Sequence, residues 1–180
     1  MIRLLLWLLG GVLMGGIVHL TTVLLLPGMA SQDAYSRLAP LAKVNMVSPI
    51  PGPTPENAAM PFMDPAFAMA VCRYDLSEGP LKFSVPISQA YTSVSFYTRS
   101  EVAYYAINDR AAGRRVIELD LMTTEQRNEL PDNEEITAAD RLIVESPSTT
   151  GLIVIKALAP EPSMLGMAAN ALAAARCQLQ

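Results

Sequence analysis

Tyr91-Thr92-Ser93-Val94-Ser95-Phe96-Tyr97 decides the fold class. Val94 and Phe96 fall on one side of an extended chain, and Tyr91, Ser93, Ser95 and Tyr97 fall on the other. A period of two is the mark of a strand with one face buried. The pattern recurs on both sides. Upstream, Leu81, Phe83 and Val85 share a face; downstream, Val102 to Ile107 continues it. In Arg115 to Met122, Ile117, Leu119 and Leu121 alternate with Glu118 and Asp120. Leu142 to Glu145 and Leu152 to Leu158 bring the set to at least six strands.

Helices are expected around this sheet. Thr123 to Leu130 reads as a short helix, and the acid-rich stretch Asp132 to Asp140 as a solvated loop. Pro162 to about Arg176, rich in alanine and methionine, reads as a terminal helix that packs on the sheet. Ahead of the strands, Asp64-Pro65 supplies a cap and a first-turn proline for a short helix through about Cys72. Before it, six prolines between Pro49 and Pro65 predict an extended, stiff strap along the domain surface. Ser31-Gln32-Asp33 caps a helix from Asp33 to about Lys43, with Tyr35, Leu38 and Leu41 on its apolar side. No internal repeat is evident.

Leu4 to Leu26 has no formal charge in 23 residues and holds the only tryptophan, Trp7, and the only histidine, His19. As a helix it spans roughly 34 Å, enough for a bilayer's hydrocarbon core. The competing reading is a cleaved signal peptide, with Gly28-Met29-Ala30 before Ser31 as a small-x-small site. Arg3 precedes the segment and the next base is Arg37, so the positive-inside rule puts the N-terminus in the cytoplasm. Gly11, Gly15, His19 and Thr22 share one helical face, with Gly11 and Gly15 forming a GxxxG. This is a candidate transmembrane packing face, since small residues let a second helix approach closely. The alternative is that glycine is simply common in membrane helices, with His19 wet at the outer interface. The expected architecture is therefore an N-terminal transmembrane helix plus a mainly-β (α+β) domain. That domain is an antiparallel sheet or sandwich with short peripheral helices and a C-terminal helix. The expected divisions are an anchor at 1–26, a helix and proline-rich strap at 27–65, and a periplasmic β-rich domain at 66–180.

All 17 acids but only 12 of the 13 bases lie beyond the apolar segment, and no basic run occurs, which argues against nucleic acid as a partner. Cys72 and Cys177 are 105 residues apart with no CxxC, so in an oxidising compartment they read as a disulfide. Closing that loop stabilises by roughly 4–5 kcal/mol in the chain-entropy model and pins the terminal helix to the front of the domain. The alternative is two buried thiols. Beyond residue 26 there is no histidine. That removes a Ser-His-Asp triad, a Cys-His pair and nearly all zinc and copper sites from this part of the chain. No catalytic residue, metal site or cofactor is expected.

Several short motifs carry a resemblance. They are Asp33-Ala34-Tyr35 with Arg37-Leu38, Pro61-Phe62-Met63-Asp64-Pro65, and Cys72-Arg73-Tyr74-Asp75-Leu76 with Gly79-Pro80. Ser93-Val94-Ser95-Phe96, Asp109-Arg110-Ala111 and Ala157-Leu158-Ala159-Pro160-Glu161-Pro162 complete the set. Along essentially its whole length the chain resembles a bacterial family filed as domain of unknown function 1254, in its short, membrane-anchored form. Larger relatives fuse this domain to a second, family 1214, with a jelly-roll-like fold. The resemblance implies a β-rich extracytoplasmic domain whose other half is a separate protein. It implies no established reaction.

Three clusters are candidate sites. Arg73, Tyr74 and Asp75 could bind a polar ligand or a partner's edge, or form a strand-start turn. Tyr91, Tyr97, Tyr104 and Tyr105 place four of six tyrosines within 15 residues, as at interfaces, or as plain core and surface filler. Asp109-Arg110 and Arg114-Arg115 read as a charged hairpin turn.

Three functions follow as expectations. The first is a non-enzymatic, single-pass inner-membrane protein whose periplasmic domain docks a partner. The second is one half of a two-subunit envelope enzyme acting on carbohydrate or another polar small molecule, with Asp75 or Asp109 lending a carboxylate. The third is a small accessory subunit of a larger membrane complex, held by the helix. The partners expected are inner-membrane lipid and a second extracytoplasmic protein, the family-1214 half, or a membrane complex.

Overall fold

The computed structural model describes residues 2–29, 33–113, 115–130 and 142–180. The expected acidic loop 132–140, Arg114, and Ala30 and Ser31 of the small-x-small site lie outside the described residues. Two compact units emerge, Met1–Gln32 and Asp33–Gln180. The helix and strap from 33 to 65 thus belong to the β unit.

The first unit is one helix, α1 (Ile2–Met29). Its segment Ile2–Leu26 is long and apolar enough to cross a membrane, as a candidate anchor or signal sequence, and none of it is buried.

The second unit is a mainly β domain of two sheets. Its strands in chain order are β1 (Val47–Ile50), β2 (Phe67–Asp75), β3 (Leu81–Pro86), β4 (Thr92–Thr98), β5 (Ala103–Asn108), β6 (Val116–Thr123), β7 (Leu142–Ser146), β8 (Thr150–Leu158) and β9 (Arg176–Leu179). Short helices accompany them: α2 (Ala34–Leu38), ahead of β1, then α3 (Asp109–Ala112), α4 (Thr124–Asn128) and α5 (Leu165–Ala173). One sheet has the order β1-β2-β8-β4-β5 and the other β7-β6-β3-β9. Every pairing of these strands is antiparallel except β6 with β7, which is parallel. The long connection from β6 to β7, which includes α4, permits that parallel return.

The core lies between the sheets. Val94, Phe96, Phe83 and Leu119 point inward as the alternation predicts, with Phe83 and Phe96 packed edge to face at 6.2 Å. Ala168 and Leu172 of α5 enter the same core. A smaller cluster lies on the outer face of the five-stranded sheet: Leu38, Ala42, Ile50, Val71 and Leu152.

Three expectations are corrected. The helix from Asp64 to Cys72 is not formed; Phe67–Asp75 is strand β2, a central neighbour of β8. Its apolar run is buried on both faces, so periodicity could not separate strand from helix. The helix expected to reach Lys43 ends at Leu38, just before Ala39-Pro40, because Pro40 has no N–H to donate to the carbonyl four residues back. The terminal helix ends at Ala173, and Arg176–Leu179 adds strand β9 to the edge of β3. Cys177 therefore lies beyond the helix. Its disulfide with Cys72 joins β9 to β2, one sheet to the other, with Cα atoms 6.5 Å apart.

Candidate functional site

The outer face of the five-stranded sheet is covered by two elements, and a groove opens between them. Pairing fixes which residues form its floor. Met69, Val71, Leu152 and Val154 alternate with inward residues of β2 and β8, and Ile50 stands opposite Met69 from β1. Ala34 and Leu38 of α2 form one wall, and Met60 to Asp64 of the strap another. Tyr91, Ser93 and Tyr97 line it from β4 and the residue before it. The cavity measures about 520 Å³, within the range of roughly 300–1,000 Å³ typical of small-molecule sites.

An electrostatic clamp holds α2 on the sheet. The ring of Tyr35 lies against both the Arg73 and Arg99 guanidinium groups, whose carbons are 4.3 and 4.2 Å from its centroid. Arg99 also reaches the Asp33 carboxylate at 2.5 Å, and Arg73 donates to the Ala42 carbonyl at 3.3 Å. Asp33 caps the helix through the Ser36 N–H at 2.7 Å. Burial opposes ionisation of Asp33, but the Ser36 hydrogen bonds and the Arg99 guanidinium outweigh it and hold the carboxyl below its ordinary value.

Polar groups at the groove are few. Lys156 of β8 is exposed and has no carboxylate partner among the described residues. Glu101 accepts from the Ala34 N–H, and Asp64 accepts from the Ala66 N–H at 2.9 Å. Phe62 on the strap is fully exposed, at 104 %, and its φ of 58° is left-handed.

The sequence-selected residues fall in several places. Arg73 belongs to the clamp. Tyr74 is fully buried, so its ring is absent from the surface. Its hydroxyl lies 3.0 Å from the Ser146 hydroxyl and 3.1 Å from that of Tyr104. Gly151, opposite Tyr74, makes room for that hydroxyl, which also donates to the Tyr97 carbonyl at 3.3 Å. Asp75 accepts from the Ser77 N–H at 2.9 Å, and hydrogen bonding to Ser77 holds its carboxyl low.

The four tyrosines divide. Tyr91 and Tyr97 line the groove. Tyr104 and Tyr105 both pack on Phe96, with centroids at 6.2 and 5.7 Å. A register shift at Phe96/Tyr97 puts these consecutive side chains on one face. Burial pushes the Tyr104 hydroxyl well above its ordinary pKa. Asp109-Arg110 lies in α3, capped by Asn108, rather than in a hairpin turn.

Gly11 and Gly15 on α1 have open space where a Cβ would stand, and Thr22 donates to the Val18 carbonyl at 2.8 Å. His19 lies on the same exposed helix. Among the described residues, no cluster of three or more His, Cys, Asp or Glu side chains could hold a metal.

Sequence reading did not single out Tyr35, Arg99, Met60, Met63 or Lys156 as a site. The available signal was Leu152-Ile153-Val154-Ile155, apolar on both faces, with Lys156 at its end.

The family described as "Protein of unknown function (DUF1254)" matches residues 44–178, and the chain belongs to that family. The VPA0106 protein from Vibrio parahaemolyticus shares the fold with a TM-score of 0.60 at 14% identity, over 81% of this chain and 34% of that one. An uncharacterized protein from Burkholderia cenocepacia aligns with a TM-score of 0.50 at 12% identity, over 82% of this chain and 40% of that one. No curated protein matches. The chain thus spans well under half the length of these solved relatives.

Proposed function

We propose that this DUF1254 chain is a non-enzymatic, single-pass inner-membrane protein whose periplasmic β domain docks a second protein. One observation carries the reading. The chain spans only 34% and 40% of the two solved relatives. A module that stands beside further chain in those structures has surface fitted to a neighbouring domain. The expected partner is the family-1214 half.

The open edge of the five-stranded sheet suits that role. Among the described residues β5 pairs with β4 alone. Its sequence, Ala103-Tyr104-Tyr105-Ala106-Ile107-Asn108, has no charge and no proline. Such an edge is a template for an added strand. In this reading Tyr104 and Tyr105 stiffen the edge from inside.

The test is site-specific photo-crosslinking in the native envelope. A crosslinker at Ala106 is expected to capture one protein species, one at Glu118 on the other sheet none. Ala103→Lys, at another exposed position of the same edge, is expected to abolish capture from Ala106. Equal capture from both positions contradicts the reading.

The glycine face supports an added contact within the membrane. Gly11→Ile with Gly15→Ile is expected to release any helix packed there, measured by detergent co-extraction. The two-subunit enzyme reading draws less support, because neither Asp75 nor Asp109 lines the groove.

A further inference from the structure

We propose that the groove under the strap binds an acyl chain of a phospholipid from the membrane that holds α1. The inference rests on the anchored reading above.

Four observations point to this occupant. Most of the floor is apolar, formed by Ile50, Val71, Leu152 and Val154. The strap wall carries Met60 and Met63, whose unbranched thioethers adapt to flexible apolar ligands. The outer lip carries Phe62, fully exposed. A bulky residue at a φ of 58° sits in a strained, left-handed region, and such strain clusters at ligand clamps. A phenyl ring held outward there is an apolar side chain of the kind that interfacial segments bury at the acyl boundary.

The anchor supplies the source. Ala34 lines the groove, and it follows closely on Met29 at the end of α1. In the anchored reading the same chain enters a bilayer through α1, and lipid is the apolar material that a bilayer supplies. The exposed charges fit a phospholipid head better than a bare hydrocarbon. Lys156, without a carboxylate partner among the described residues, offers its ammonium to a phosphate. Asp64 and Glu101, the carboxylates on the groove, already accept backbone N–H groups.

The experiment reconstitutes the full chain in vesicles of phosphatidylethanolamine and phosphatidylglycerol. These contain a phospholipid with a diazirine on its acyl chain, and labelled peptides are mapped after irradiation. Labelling is expected on α1 and on the peptides holding Met60–Met63 and Leu152–Val154. Ser93→Trp fills the groove from β4 and is expected to lower groove labelling about tenfold while α1 labelling stays unchanged. Phe62→Ser, at an exposed position that folding does not need, is expected to lower labelling of the strap peptide. Label on α1 with none on the groove overturns the proposal and leaves the anchor standing. Label on neither overturns the anchored reading as well. Groove labelling by a diazirine fatty acid but not by the phospholipid overturns the assigned source.

Discussion

On the outer face of the five-stranded sheet, Ile50, Val71 and Leu152 lie buried under α2 and the strap. On the outer face of the four-stranded sheet, Lys82, Glu118, Arg176 and Gln178 are exposed. Both sheets contribute their inner faces to one core. The difference is therefore in what covers the outside. A strand with one wet face alternates, and β3 does so: Leu81, Phe83 and Val85 inward, Lys82 outward. A strand covered on both sides does not alternate, and β2 reads Phe-Ala-Met-Ala-Val-Cys. Hydrophobic pattern reports burial, and only indirectly secondary structure.

The largest expected effect comes from cutting the tie between the two sheets. Cys72→Ala with Cys177→Ala opens a loop of 105 residues and is expected to cost about 4–5 kcal/mol. Urea unfolding under oxidising conditions measures it; a loss under about 1 kcal/mol leaves the bridge without a structural role.

The next effect contrasts the faces directly. Val71 is 2% exposed on the covered face. Val71→Asp places an unpaired carboxylate there and is expected to cost roughly 3–5 kcal/mol. Glu118→Ala, on the bare face, is expected to stay within about 0.5 kcal/mol. Equal losses from the two variants break the comparison.

Smaller effects concern the clamp that makes the covered face covered. Tyr35→Ala removes both guanidinium contacts and is expected to cost about 1–2 kcal/mol. Hydrogen exchange should speed up at Ser36–Leu38 and remain unchanged in β3 and β6.

The smallest effect is one of pH. Asp33 has a folded pKa below its ordinary value of 3.8. A depressed carboxyl stabilises above its unfolded pKa, and that contribution fades as pH falls through the folded value. Exchange protection of α2 should therefore be flat at neutral pH and decline below about pH 4. Arg99→Gln should flatten part of that decline, the Ser36 hydrogen bonds keeping the rest; an unchanged profile in the variant breaks the assignment to this pair.

The legibility of the candidate site followed the same division. Tyr91 and Tyr97 were visible because they lie on an alternating strand. Tyr104 was visible as a residue but misleading as surface, because a bulge turned it inward beside Tyr105. Arg73 stood out as a polar residue before the sheet. Its partner ring, Tyr35, and the second cation, Arg99, lie far from it along the chain and share no local pattern with it. Only the packing of α2 brings Tyr35, Arg73 and Arg99 together.

Sequence by itself determined the features that depend on local chemistry. These are the apolar segment Leu4–Leu26, the period-two strands with a wet face, and a lone pair of cysteines suited to one bridge. Tertiary structure decided the state of every segment whose neighbours come from afar. It made Phe67–Asp75 a strand because β1 and β8 pair with it on either side. It ended the last helix at Ala173 because β3 offered Arg176–Leu179 an edge. The physical reason is common to both. Helix hydrogen bonds close within four residues, whereas a strand's partners are supplied by distant chain, so an apolar run takes the form that its distant neighbours complete.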